Sequence, residues 1–156
     1  MSLKVGDRVP DFTLPDQDGK ATSLSELLTG GCLVLYFYPK DDTPGCTAEA
    51  CTFRDEYQEF AEAGGGVVGV SSDDVASHRH FADKHRLPFR LLSDRDGELR
   101  RRFGVPRTLG ILHGRVTYVI DSQGTVRHMF NSALRTRQHV EEALRIVRQL
   151  HSVEGA

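Results

Sequence analysis

The chain has no apolar run of about 18 residues, the length a membrane span requires, and its first residues hold no apolar signal core. A soluble cytoplasmic protein without a membrane partner is therefore expected. Positive charge is not in excess either: 20 Lys and Arg against 22 Asp and Glu leave a net charge of -2. A dedicated nucleic-acid binder carries a strongly basic face, so nucleic acid is not an expected partner. Three cysteines are too few for a disulfide scaffold, and an odd number leaves one over. Glycine (15) and proline (6) are not in excess, which excludes collagen and wholesale disorder. There is no internal repeat and no low-complexity linker. The absence of Cys-x-x-Cys argues against a thioredoxin-type oxidoreductase. Gly64-Gly65-Gly66 is not followed by Lys-Ser or Lys-Thr, so it is no phosphate loop.

What remains is a chain of 156 residues, 38% hydrophobic, which suits one domain over 1–156. Such a chain buries about two-thirds of its unfolded surface and needs no covalent staple. Phe12-Thr13-Leu14 and Ala21-Thr22-Ser23 flank Asp18-Gly19 and read as a hairpin. Ser25–Leu28 reads as one helical turn. Cys32–Tyr38 is an unbroken run of β-formers, the pattern of a strand buried on both faces. A polar loop follows Pro39, and Cys46 to about Ala63 carries Phe53, Tyr57 and Phe60 at helical spacing. The alternation continues with a strand at Val67–Ser71 and a helix capped by Asp73 or Asp74. A strand at Phe89–Leu92 and a helix at Glu98–Phe103 come next. A hairpin at 116–130 and an amphipathic helix near Arg137–Leu150 complete the chain. Strands alternating with helices predict an α/β fold, with a mixed central sheet flanked by helices and an N-terminal β-hairpin extension.

Chemistry in such folds gathers where strands end and helices begin. The most hydrophobic strand here delivers Cys46 to the first turn of a helix. Free N–H groups and the helix dipole at that position favour a thiolate over a thiol. Cys51 lies five residues on. In an ideal helix that offset separates the Cα atoms by nearly ~9 Å, beyond the ~7 Å limit for a disulfide. Either Cys51 is inert packing, or the first turns unwind and the two sulfurs meet. Cys32, inside the buried strand, reads as packing. His78, His80 and His85 share one helix. The 78/80 pair does not share a face, and 78 and 85 stand about 10.5 Å apart, too far for one metal. Arg100-Arg101-Arg102 reads as a solvated basic face.

The spacing Pro39-x-x-x-Thr43-x-x-Cys46 resembles the active-site signature of the peroxiredoxins. The longer string from Tyr36 through Cys46, Glu49 and Cys51 to Asp55 is similar to their Q type, the bacterioferritin comigratory proteins. The resemblance takes in Gly6-Asp7, Pro10-Asp11-Phe12, Phe103-Gly104-Val105, and Arg115 with Thr117–Asp121. It implies a thioredoxin-like fold and thiol-dependent peroxidase activity with no metal, haem or flavin. The substrates it implies are hydrogen peroxide and organic hydroperoxides. On this resemblance Cys46 is the peroxidatic nucleophile, Thr43 offers the peroxide a hydroxyl, and Pro39 shields one wall. Arg115 holds the thiolate and a peroxide oxygen, and Glu49 orients Arg115. Cys51 matches the resolving cysteine that some members keep in this helix, which implies an intramolecular Cys46–Cys51 disulfide. Thioredoxin or a similar dithiol protein then restores the thiols, and the protein acts as a monomer. Two other readings use the same residues. One is a redox relay that passes the disulfide to a partner; the other is a binding module with an inert Cys46.

Overall fold

The computed structural model describes residues 3–105, 107–108, 112–113, 115–132 and 135–154. In chain order the elements begin with the hairpin strands β1 (Thr13–Pro15) and β2 (Ala21–Ser23). They are followed by α1 (Leu24–Leu27), a 3-10 turn at Leu28–Gly30, β3 (Cys32–Phe37), α2 (Pro44–Asp55) and α3 (Tyr57–Glu62). Then come β4 (Gly65–Ser71), α4 (Val75–His85), β5 (Arg90–Ser93) and α5 (Glu98–Phe103). The chain ends with β6 (Arg107–Thr108), β7 (Leu112–His113), β8 (Val116–Ile120), β9 (Val126–Asn131) and α6 (Thr136–Glu154).

The β3 run is buried on both faces because it lies in the middle of a five-stranded sheet of order β5-β4-β3-β8-β9. Side chains alternate across a strand. Cys32, Val34, Tyr36 and Tyr38 therefore enter one core with Phe53, Phe60, Phe81 and the α6 residues Val140, Ala143, Val147 and Leu150. Leu33, Leu35 and Phe37 enter the other core with Phe12, Leu24, Leu99 and Phe103. The pairs β3–β4 and β4–β5 are parallel; β3–β8 and β8–β9 are antiparallel. This is the mixed sheet expected of a thioredoxin-like fold. No helix among the described residues is long and apolar enough to cross a membrane.

The N-terminal hairpin forms a separate two-stranded sheet, Thr13 opposite Ser23 and Pro15 opposite Ala21. Asp16 Oδ1 closes its turn by accepting from the N–H groups of Asp18 and Lys20 at 2.9 and 3.0 Å. Asp74, one of the two expected caps, accepts from Ser77 N–H at the start of α4.

Three expectations need adjustment. The helix read as running from Cys46 to Ala63 is bent at Glu56 (φ -97°, ψ 5°) into α2 and α3. The bend brings Phe53 and Phe60, both fully buried, to 5.7 Å between ring centroids. The strand expected at Val67–Ser71 starts two residues earlier, at Gly65, where a Cβ would meet Val147 Cγ1 at 2.8 Å. Arg100 is buried, so of that arginine run only Arg101 and Arg102 are exposed.

One piece of register positions the site. Because β8 runs antiparallel to β3, Phe37 at the end of β3 pairs with Val116 at the start of β8. Arg115 therefore stands beside the loop that carries the chain into α2.

Candidate active site

That loop is fastened from below. Asp41 is buried and accepts from Tyr38 O–H at 2.6 Å and Ser77 O–H at 2.8 Å. Its Oδ2 lies 2.8 Å from Nδ1 of the buried His78, whose Nε2 lies 2.9 Å from the Leu92 carbonyl. The Asp41 N–H donates to Asp73, which also accepts from Ser71 O–H. Asp41, Asp73 and His78 bring ligand-type atoms within 4.8 Å of one another. Asp41 accepts through both carboxylate oxygens and Asp73 Oδ2 accepts twice, so the cluster serves as a network joining the loop to α4 and β5.

Above the network the chain turns at Asp42 (φ 62°), a conformation Asp tolerates, and enters α2. Thr43 is the N-cap residue and Pro44 follows it. Proline suits that place because its missing N–H has no helical partner there in any case. The first turn is closed by Thr47 N–H donating to the Thr43 carbonyl at 2.8 Å. The N–H groups of Gly45 and Cys46 therefore emerge at the positive end of the helix. Cys46 is buried there.

Arg115 completes the arrangement. Its Nη2 donates to Cys46 Sγ at 3.4 Å and its Nη1 donates to Glu49 Oε1 at 2.5 Å. Glu49 lies one turn after Cys46, so the planar guanidinium spans two residues on one helix face. Burial works against the Arg115 charge, yet Glu49 and Cys46 more than offset it and hold its pKa above the ordinary value. Burial pushes the Glu49 carboxyl up to about 7, although Arg115 pulls it the other way. Glu49 Oε2 faces Nδ1 of His139, on the first turn of α6, at 3.8 Å. His139 Nδ1 is 2.7 Å from Thr117 Oγ1, and its Nε2 is 2.7 Å from the Ser132 carbonyl. Burial, reinforced by the Arg115 charge, brings its pKa down to about 4.

Of the residues singled out in the sequence, Cys46, Arg115 and Glu49 are in direct contact. Thr43 and Pro39 lie on the loop around them, both half-buried. The Thr43 hydroxyl donates to the Lys40 carbonyl at 2.9 Å, which leaves its oxygen lone pairs to accept. Cys51 is apart from this group, with its Sγ 3.8 Å from His85 Nδ1. No disulfide joins Cys46 and Cys51. Cys32 is buried at the start of β3, its Sγ 3.6 Å from the Gly64 carbonyl.

Sequence reasoning missed Gly45. A Cβ there would stand 3.0 Å from Arg115 Nη2, so a bare backbone is what lets the guanidinium lie along the helix start. It also missed the His78, His85 and His139 contacts. Apart from His78–Leu92 and His139–Ser132, those join residues 22 or more positions apart, and no local pattern carries them.

The AhpC/TSA family pattern matches residues 5–129. The chloroplastic peroxiredoxin Q of Triticum aestivum is 51% identical over 142 residues, which is 90% of this chain and 65% of that protein. The chain thus spans just under two-thirds of that relative's length. Among solved structures, peroxidoxin BcpB of Mycobacterium tuberculosis is 44% identical with a TM-score of 0.89, covering 95% of this chain and 98% of that one. The bacterioferritin comigratory protein of Xanthomonas campestris, studied for alkyl peroxide reduction, is 34% identical with a TM-score of 0.81. The match covers 90% of this chain and 92% of that one. The family pattern covers most of the chain and these relatives are 34% to 51% identical over 90% of it or more, so the chain belongs to the AhpC/TSA family, in its peroxiredoxin Q branch.

Proposed function

We propose that this protein reduces hydrogen peroxide and organic hydroperoxides by attack of Cys46 on the peroxide O–O bond. The observation that carries the reading is the Cys46 sulfur at a helix N-terminus, 3.4 Å from an arginine that Glu49 holds in place. The Cys46 thiolate attacks one peroxide oxygen, the O–O bond breaks, and the other oxygen leaves as hydroxide or alkoxide. The sulfur becomes a sulfenic acid. Arg115 and the free N–H groups of the helix start stabilise the charge that develops on the departing oxygen. Thr43, with its lone pairs open, accepts a hydrogen bond from the O–H of the hydroperoxide, and Pro39 closes a wall without adding a competing donor. The alkyl peroxide activity of the Xanthomonas relative supports the wider substrate range.

Cys51 then attacks the sulfenic sulfur, giving a disulfide and water, and a dithiol protein of the thioredoxin kind restores both thiols. The first turns of α2 unwind for this step, because five helical residues hold the sulfurs too far apart. Catalysis by a monomer is supported by the surface: among the described residues only Val5 and Met129 are large, exposed hydrophobics.

The test is to mix the reduced protein with one equivalent of hydrogen peroxide, quench within seconds with an alkylating agent, and map the thiols by mass. A Cys46–Cys51 disulfide with Cys32 alkylated is expected. Cys46→Ser is expected to abolish turnover, and Cys51→Ser to retain the first oxidation but leave the sulfenic acid open to over-oxidation. Full peroxidase rate in Cys46→Ser would sink the assignment.

A further inference from the structure

The surroundings of Cys51 contain chemistry that the peroxide step does not use. Its half-buried sulfur lies 3.8 Å from Nδ1 of His85, the last residue of α4. The other ring nitrogen, Nε2, is buried and has no hydrogen-bond partner among the described residues. It faces Asp42 Oδ1 at 3.9 Å, a carboxylate that also receives Lys84 Nζ at 3.2 Å. Phe81 meets the His85 ring edge-on at 5.1 Å between centroids, which limits its rotation. Arg54 Nη1 donates to the His85 carbonyl at 2.8 Å and ties the C-terminal half of α2 to the end of α4. The groups facing the ring are therefore Cys51 and Arg54 from α2, Asp42 from the preceding loop, and Phe81 and Lys84 from its own helix. A thiol, an imidazole and a carboxylate in that order form a nucleophile, a base, and a charge that favours the protonated base.

We propose that His85 is the catalytic base of the resolving step, with Asp42 as its positioning partner. This rests on the reading of Cys51 as the resolving thiol. His85 Nδ1 takes the proton of Cys51 as the sulfur attacks the Cys46 sulfenic acid. The S–S bond forms, the sulfenic S–O bond breaks, and its electron pair leaves with hydroxide, which takes up the proton that His85 removed. The net change is one sulfenic acid and one thiol giving one disulfide and one water. No other oxidant is needed. Asp42 at 3.9 Å is long for a hydrogen bond and acts through its charge on the imidazolium. The Arg54 tie has a further consequence. Unwinding of the first turns of α2 moves Cys46 while Cys51 stays beside its base.

The experiment follows both steps in one sample. Reduced wild type, His85→Gln and His85→Asn are mixed with one equivalent of hydrogen peroxide from pH 5.5 to 9, quenched at intervals with an alkylating agent, and mapped by mass. Cys46 oxidation is expected to stay within about twofold of wild type. Disulfide formation at pH 7 is expected to fall by about 100-fold, the usual contribution of a positioned base. In the variants its rate should rise about tenfold per pH unit, as expected when hydroxide rather than a fixed base must remove the thiol proton, a profile that a merely structural role does not produce. Asp42→Asn should give a smaller loss in the same step. Disulfide rates and pH profiles equal to wild type in both His85 variants overturn the proposal, as does an equal loss of both steps in both. A wild-type disulfide that omits Cys51 instead refutes the resolving assignment itself, whatever the His85 variants do.

Discussion

Glu49 and His139 face each other at 3.8 Å, and burial moves them in opposite senses, Glu49 from 4.5 up to about 7 and His139 from 6.5 down to about 4. Each displacement corresponds to about 3 kcal/mol. Between pH 4.5 and 7 the folded protein keeps a proton on Glu49 that the unfolded chain has lost. Stability from this group is therefore present at low pH and lost as pH rises, by about 1.4 kcal/mol per unit. Between pH 6.5 and 4 the unfolded chain has gained a proton at His139 that the folded protein refuses. Stability from that group is present above pH 6.5 and lost as pH falls, with the opposite slope and similar size. The two contributions cancel over their shared window. Urea unfolding from pH 4.5 to 6.5 is the assay. Against wild type, Glu49→Gln should gain stability with rising pH, because only the His139 slope is left. His139→Gln should lose stability with rising pH, because only the Glu49 slope is left. The double variant should return to the wild-type profile. Relative to each other the single variants should diverge by about 5 kcal/mol across the window, from the two slopes combined. Single-variant profiles parallel to wild type would refute the reasoning, since the burial of both groups could then not be setting their protonation.

Two further variants test the peroxide site. Gly45→Ala adds a Cβ 3.0 Å from Arg115 Nη2 and should slow Cys46 oxidation about tenfold by shifting the guanidinium. Helix propensity alone should raise stability by up to ~1 kcal/mol, so stopped-flow peroxide kinetics and urea unfolding are expected to move in opposite directions. Arg115→Lys keeps the charge but replaces a planar fork by a single ammonium, which cannot reach Glu49 and Cys46 together. The second-order rate with hydrogen peroxide should drop by about 100-fold, comparable to loss of one oxyanion donor, and an unchanged rate would remove Arg115 from the reaction.

How much of this was legible before the structure depends on the range of the interaction concerned. The β3 run had to be buried on both faces, because seven consecutive apolar residues leave neither side of a strand fit for water. The place of Cys46 at a helix start followed from the polar loop and the proline ahead of it, both local signals. The bend at Glu56 was not legible, since Phe53, Tyr57 and Phe60 keep helical spacing on either side of it. Arg115 looked like any arginine before a strand until a resemblance singled it out. What puts it against Cys46 is the antiparallel register of β8 on β3, a pairing across some eighty residues. Gly45 carried no local signal either, because the reason for a bare backbone there is a guanidinium arriving from elsewhere in the chain. His85 and Asp42 likewise meet around Cys51 only once α4 packs beside α2. The sequence by itself determined most of the elements, the buried strand and the cysteine at a helix start, because these follow from the solvation and geometry of neighbouring residues. Tertiary structure decided which charge faces which sulfur, because burial and Coulomb interactions depend on distances in space that no spacing along the chain records.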